Sequence, residues 1–223
     1  PHHIEIYNNL ISGFSNNIRI TSPEDTVIVT NNVLCYNREG SYGSLNFLSG
    51  NGYIKNVVFS NNEIALNGAN SQGYFVLSDY NTFWLNVINY NDAAHGDSDL
   101  VADPMFVKDT IPSSNSNYDF HLQAYSPAID KGDPNILDKD GTRSDIGMYG
   151  GPFGETYTYQ DLAPLAPRNL SAVVDSNTIT VRWRRNTEAD TSFYKVYRDT
   201  IVNFIIDSTK LVSSSSDSFF VQV

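Results

Sequence analysis

Cysteine, methionine and basic residues are scarce in this sequence, and each scarcity excludes something. A single cysteine, Cys35, in 223 residues rules out an internal disulfide framework. It sits in the alternating stretch Val33-Leu34-Cys35-Tyr36 and reads as a small buried hydrophobe on a strand, the alternative being a reactive thiol. Methionine occurs only at 105 and 148, so the chain reads as a mature form or a piece of something longer. No run of about 18 apolar residues is present to span a membrane, and Pro1-His2-His3-Ile4 lacks the basic and apolar regions of a signal peptide. Lys and Arg number 14 against 25 Asp and Glu, a net charge of −11 with pI near 4.6, which argues against nucleic acid as a partner. A phosphate-binding Gly-rich loop, a Gly-x-Ser-x-Gly elbow and a paired-cysteine motif are all missing.

Asparagine is abundant instead: 25 residues, 18 of them in the first 100. With aromatics at 13% and apolar residues at 40%, this stretch is expected to fold rather than stay disordered. The pairs align as Ile4-Glu5-Ile6-Tyr7-Asn8-Asn9, Val27-Ile28-Val29-Thr30-Asn31-Asn32 and Val57-Val58-Phe59-Ser60-Asn61-Asn62, with a weaker copy at Val76-Leu77-Ser78-Asp79-Tyr80-Asn81. The second Asn recurs at 9, 32, 62 and 81, in steps of 23, 30 and 19 residues. Self-similarity at that period marks a solenoid. Each half-repeat is four or five alternating Val, Ile, Phe and Tyr residues, which suits short strands and is too short for a helix. Asparagine tolerates left-handed backbone angles at a bend, and stacked amides can bond along the coils. An Asn ladder at Asn9, Asn32, Asn62 and Asn81 is therefore expected. The same pairs would also mark hairpin turns of an antiparallel sandwich, and the unequal spacing keeps that alternative open.

Charge and composition change together near residue 162. Residues 1–162 carry 7 basic and 19 acidic residues, whereas 163–223 carry 7 and 6. The stretch from Gln160 to Pro167, with prolines at 164 and 167, reads as a short stiff linker over 161–167 between domains at 1–160 and 168–223.

The repeats resemble the right-handed parallel β-helix family of secreted polysaccharide lyases, pectinases and bacterial surface proteins. The run from Asp103-Pro104-Met105-Phe106 through Ser126-Pro127-Ala128-Ile129-Asp130 to Asp145-Ile146-Gly147-Met148-Tyr149-Gly150-Gly151 is similar to that family's closing segment. The resemblance covers roughly residues 1–155 and implies terminal coils whose earlier members lie upstream. Beyond the linker, Thr178-Ile179-Thr180-Val181-Arg182-Trp183 and Phe193-Tyr194-Lys195-Val196-Tyr197 alternate cleanly and resemble a fibronectin type III module with its core Trp. The match thins after 198, so an incomplete sandwich is expected.

Candidate sites follow from residue chemistry. Eleven Asp fall between 92 and 145 against four Lys and Arg, readable as a solvated acidic rim or as a structural Ca2+ site. For the second reading Asp133, Asn135, Asp138, Asp140 and Asp145 supply clustered hard oxygens, and the site would fasten the loop closing the helix end. The spacing is not that of an EF-hand. Lyase chemistry needs a base and a cation, but Arg19, Arg38 and Lys55 sit at unrelated repeat positions. Glycoside hydrolysis needs two carboxylates roughly 5 Å or roughly 6.5–9.5 Å apart, which Glu5, Glu24, Asp25, Glu39 or Glu63 could supply only through stacking. His2 and His3 adjoin the chain start, His95 lies in a loop and His121 in a strand, and no metal pair is indicated. Among many aromatics, Tyr42 and Trp84 stand near loops and are the expected glycan subsite. The sequence reading is thus all-β, terminal coils of a right-handed parallel β-helix followed by part of a type III module. The expected setting is extracellular or a bacterial cell surface, with a polysaccharide or surface glycan as partner. Two functions stay open: a largely non-catalytic C-terminal portion of a polysaccharide-binding or -degrading enzyme, or a non-enzymatic adhesin or spacer.

Overall fold

The computed structural model describes residues 3–13, 17–37, 42–111, 117–164, 166–186 and 191–222, with all their side chains except those of 22–25 and 222. The chain divides into two compact units, Pro1–Leu162 and Ala163–Val223. Among the described residues the regular structure is all strand apart from two short 3-10 turns, and no helix is long and apolar enough to cross a membrane.

The first unit is a parallel β-solenoid of about three turns. Its strands in chain order are β1 (His3–Tyr7), β2 (Leu10–Ser12), β3 (Ile18–Thr30), β4 (Val33–Cys35), β5 (Leu45–Lys55), β6 (Val58–Ser60), β7 (Ile64–Asn67), β8 (Val76–Asp79), β9 (Thr82–Trp84) and β10 (Ile88–Asn91). Three parallel sheets result. The first stacks β1, residues 26–30 of β3, residues 51–55 of β5, and β8; the second stacks β2, β4, β6 and β9; the third stacks residues 18–21, residues 45–49, β7 and β10. In the first sheet His3 faces Thr26, Thr26 faces Asn51 and Gly52 faces Val76, steps of 23, 25 and 24 residues.

Alternation within each strand decides what the coils enclose. Val27, Val29, Leu34, Ile54, Phe59, Val76 and Phe83 point inward and form the main core with Leu45, Phe47 and Leu66. Phe59 and Phe83 stack at 5.0 Å between ring centroids, one coil above the other.

The Asn pairs stand at the bends, and the two members of a pair have different tasks. At the bend from the first to the second sheet the first position is Asn8, Asn31, Asn56 and Tyr80, all left-handed with φ between 53° and 58°. Asparagine takes that conformation at little cost, which explains its use there. The second position is Asn9, Asn32, Val57 and Asn81. Asn32 Oδ1 accepts the backbone N–H of Asn9 at 2.9 Å, and its Nδ2 donates to Ile6 O at 2.8 Å, one coil up. Asn81 repeats this with Val57 N–H and Ile54 O. Asn62 does not belong to this column. It stands at the next bend, from the second to the third sheet, with Asn37 and Asn86: its Oδ1 accepts from Asn37 N–H and its Nδ2 donates to Leu34 O, and Asn86 Oδ1 accepts from Asn62 N–H. The expected single ladder is therefore two, which explains the uneven steps of 30 and 19 read from the sequence. A third amide column, Asn46, Asn67 and Asn91, lies on the third sheet, bonded Asn91 to Asn67 to Asn46.

Residues 103–151, read from the sequence as a closing segment, pack against the coils from the side. They lie along the flank of the coils, because the outward residues of the second sheet are themselves apolar and need a cover. Leu10, Val33, Cys35 and Val58 pack under the antiparallel pair β11 (Phe106–Lys108) and β12 (Asp119–Leu122), with Phe106, Phe120, Leu122, Ala128 and Ile146 completing a second core. Residues 130–151 then run as a strap across successive coils, held by the asparagines at the first position of the bend from the first to the second sheet. Asn8 Nδ2 donates to Met148 O and Gly150 O, Asn31 Nδ2 to Asp145 O at 2.9 Å and to Ser144 Oγ, and Asn56 Oδ1 accepts Asp133 N–H at 2.7 Å.

The second unit holds two antiparallel sheets: β13 (Arg168–Asp175), β14 (Thr178–Arg184) and β17 (Phe219–Gln222) in one, β15 (Tyr194–Tyr197) and β16 (Leu211–Ser215) in the other. Trp183 and Tyr194 meet edge to face at 5.2 Å, and both are buried. A cleft of about 520 Å3 lies beside them, lined by Leu170, Val181 and Val196.

Candidate functional site

Because Val27, Val29, Ile54 and Val76 point inward, the alternate residues of the first sheet must face out. The register aligns Glu5, Ile28, Tyr53 and Leu77 in one outward column, and Tyr7, Thr30, Lys55 and Asp79 in the next. Phe75 joins at the edge, its N–H donated to Asn51 Oδ1 at 3.0 Å, and its ring meets Tyr53 at 5.4 Å. At the other end Tyr7 stacks on Phe153, just beyond the strap, at 4.7 Å. These four rings are exposed by 38–64%, unusual for aromatic side chains with a core available to them.

The strap forms one wall of this face. Near coil one it encloses a hollow of about 170 Å3 between Tyr7, Ile28, Thr30, Ile136 and Phe153. Toward coil four a larger hollow of about 430 Å3 is bounded by Tyr53, Lys55, Leu77, Asp79, His95 and Asp97. Gly96 is required there: a Cβ on it would come within 2.2 Å of Ser78 O. Asp79 uses Oδ1 to accept Tyr80 N–H and Ser98 N–H, which fixes the carboxylate at the floor. Lys55 reaches across to the strap and pairs with Asp133.

The two residues expected as a glycan subsite do not line either hollow. Trp84 is 4% exposed, in the outward column of the second sheet with Ser12, Cys35 and Ser60, so it offers no ring face to a ligand. Tyr42 is exposed in the turn before β5. Of the carboxylates considered for hydrolysis, Glu5 lies on the first sheet's outer face bonded to His3, and Glu63 is exposed at the second bend. Glu39, Arg38, His2 and the side chains of Glu24 and Asp25 lie outside the described residues.

The five residues expected as a Ca2+ set are engaged one by one. Asp133 Oδ1 accepts the N–H and Nδ2 of Asn135, while Oδ2 meets Lys55. Burial works to raise the Asp133 carboxyl, but the bonds from Lys55 and Asn135 outweigh it and hold it below its ordinary range. Asp140 accepts from Thr142 Oγ1 and N–H, which hold it low. Asp138 accepts the N–H groups of Asp145 and Gly151, and burial outweighs them and raises it. Asp145, 3% exposed, accepts Asp130 N–H at 2.9 Å and Tyr159 O–H at 2.8 Å; burial dominates and lifts it to about 6. Among the described residues no group of three His, Cys, Asp or Glu is arranged to hold a metal ion.

Asp145 gives the strap a pH dependence. Its folded value near 6 exceeds the ordinary 3.8, so the folded state binds the extra proton between those values. Stability is therefore highest at the acid end of that window and falls as pH rises through about 6, by roughly 2–3 kcal/mol for the isolated group. Thermal melts of the chain from pH 4.5 to 7.5 should show this decline, and Asp145→Asn, which keeps the acceptor for Asp130 N–H and turns the Tyr159 contact into an amide donating to the hydroxyl, should flatten it. A melting temperature that rises toward neutrality in the unaltered chain would contradict the assignment.

A further cluster is not visible in the sequence. His121 lies flat on Tyr149 at 3.8 Å, with Nδ1 on Asp119 and Nε2 on Glu155, while Tyr157 accepts Leu122 N–H on its hydroxyl. It fastens residues 155–160 to β12 and points to no ligand. Its one signal in the sequence is the spacing of Tyr149, Tyr157 and Tyr159, which only the folding back of the chain onto β12 makes meaningful.

No family model matches the chain, and neither the curated proteins nor the solved structures contain a match to it.

Proposed function

We propose that this chain is the glycan-engaging part of an extracellular or cell-surface right-handed parallel β-helix protein, and that it holds a linear polysaccharide along the outer face of its first sheet. The second unit, on this reading, is an incomplete fibronectin type III-like module whose core centres on Trp183 and Tyr194. One observation carries the functional proposal. The first sheet's outer face exposes two aromatic pairs, Tyr7 with Phe153 and Tyr53 with Phe75, on rungs two coils apart, the first beside a hollow walled by the strap and the second beside one walled by residues 94–97. At about 4.8 Å per rung the pairs are separated by roughly 10 Å, a distance on the scale of a disaccharide. Aromatic faces stack on the apolar faces of sugar rings, while Thr30 and Asp79 supply hydrogen bonds to hydroxyls.

A non-catalytic adhesin or spacer is the second reading, favoured by the way the strap carboxylates are spent on holding the fold. Affinity electrophoresis and calorimetry with the whole chain test the proposal. Tyr53→Ala and Phe75→Ala should each weaken binding about tenfold, as loss of a central ring does at other interfaces, with little change in melting temperature because both rings are exposed. Unchanged affinity in both variants would remove the first sheet as the binding face. Binding without release of fragments supports the adhesin reading; release of fragments favours the enzyme.

A further inference from the structure

We infer that the polymer taken by this face carries no carboxylates: it is built from neutral or amino-bearing sugars, and polyuronates are turned away by its charge. This rests on the carbohydrate reading of the same face. The basic side chains there are His3, Lys55 and His95, and the acidic ones Glu5, Asp79 and Asp97. His3 is bonded to Glu5 at 3.1 Å. Lys55 is the one Lys or Arg lining either hollow among the described residues, and its ammonium is taken by Asp133, a carboxylate only 5% exposed in its side chain. A carboxylate on the incoming sugar would need a cation to offset the loss of its hydration, and the strap has already paired the candidate.

What remains unpaired is negative. Asp97 is exposed, accepts no hydrogen bond among the described residues, and stands beside Asp79, whose Oδ2 is also without a partner there. His95 Nδ1 is directed at Gly96 O and its ring lies 5.9 Å from Tyr90. An ammonium on a sugar entering the larger hollow would meet two carboxylates and the Tyr53 face, an arrangement that favours cations by both charge and ring quadrupole. The specificity is thus set by Asp133: through Lys55 it converts a polar groove with one cation into a groove that selects against acidic chains.

Calorimetry with three oligosaccharides of equal length distinguishes the outcomes: glucosamine oligomers at a mildly acidic pH that protonates their amines, their N-acetylated counterparts, and galacturonate oligomers. Glucosamine oligomers should bind roughly two- to five-fold more tightly than the acetylated ones, with the difference lost in high salt and in Asp97→Asn. Galacturonate oligomers should bind least, and Asp133→Asn, which keeps the acceptor for Asn135 and frees Lys55, should raise their affinity. Galacturonate binding to the unaltered chain as tight as that of the neutral oligomer overturns the charge selection and leaves the carbohydrate reading standing. Failure of all three to bind removes the carbohydrate reading and this inference with it. Should Asp133→Asn melt early, Asp97→Asn still decides, since its exposed carboxylate holds nothing in the fold.

Discussion

Replacing Asn81 with alanine should lower the melting temperature of the first unit by roughly 10 °C, a larger loss than an alanine at any exposed asparagine. Its side chain is fully buried and makes five bonds: Oδ1 accepts Val57 N–H at 2.8 Å, and Nδ2 is shared among Ile54 O, Ser78 Oγ, Asp79 O and Asp99 Oδ1 at 3.0–3.1 Å. Removal leaves a buried donor and at least one buried carbonyl unpaired between coils three and four, each costing about 1–3 kcal/mol. A total near 4 kcal/mol converts to about 8–16 °C in a unit of this size. Asn81→Asp is the sharper test. It keeps the acceptor for Val57 but sets a second oxygen against Ile54 O, Asp79 O and Asp99, so it should be no better than alanine at neutral pH. Asn91→Ala, which removes one bond at the exposed end of its column, should cost under about 1 kcal/mol. If Asn81→Ala and Asn91→Ala melt together, the buried amide does not stitch the coils.

Cys35 should be inert to thiol reagents in the folded chain and become roughly a hundred times more reactive in Ile146→Ala. The thiol is wholly buried under the cover of the second sheet, and burial together with the Asp109 charge pushes it far above its ordinary range. It reports the opening of that cover and of nothing else, being the sole cysteine. Ile146 is fully buried, and its N–H donates to Ala128 O, anchoring strap and cover together. Truncation there costs about 2–5 kcal/mol, and about 3 kcal/mol of eased local opening is close to two orders of magnitude in labelling rate. Asn31→Ala should act in the same direction, since Asn31 Nδ2 holds Ser144 and Asp145. A Cys35 that labels readily in the unaltered chain would show that the segment after residue 100 does not lie on the second sheet.

Much of the first unit is legible in the amino-acid sequence. The strand, Asn-Asn, strand motif locates the bends at Asn8, Asn31 and Asn61, and alternation in Val27-Ile28-Val29 separates core from surface. Asn62 shows the limit. Two bends of one coil use the same pair of residues, so alignment by residue type merges two columns into one. Only hydrogen bonds across 24 or 25 residues, Asn37 to Asn62 to Asn86, separate them. Trp84 shows another. Alternation says that its side chain leaves the solenoid core, but a strand cannot state whether the outside is water or a second layer.

The sequence by itself determined the coil: its period, its short strands and the residue that can turn left-handed at a bend, all properties of neighbours in the chain. Tertiary structure alone decided the division of labour at the bend from the first to the second sheet, where Asn8, Asn31 and Asn56 hold the strap and Asn32 and Asn81 join the coils. It also decided that the acidic segment lies along the flank, where Asp133 takes Lys55 and Asp145 is shut away from water. The reason is physical. Local conformational preference acts over a few residues, whereas burial, pairing of charges and the satisfaction of amides depend on which distant backbone comes to rest beside them.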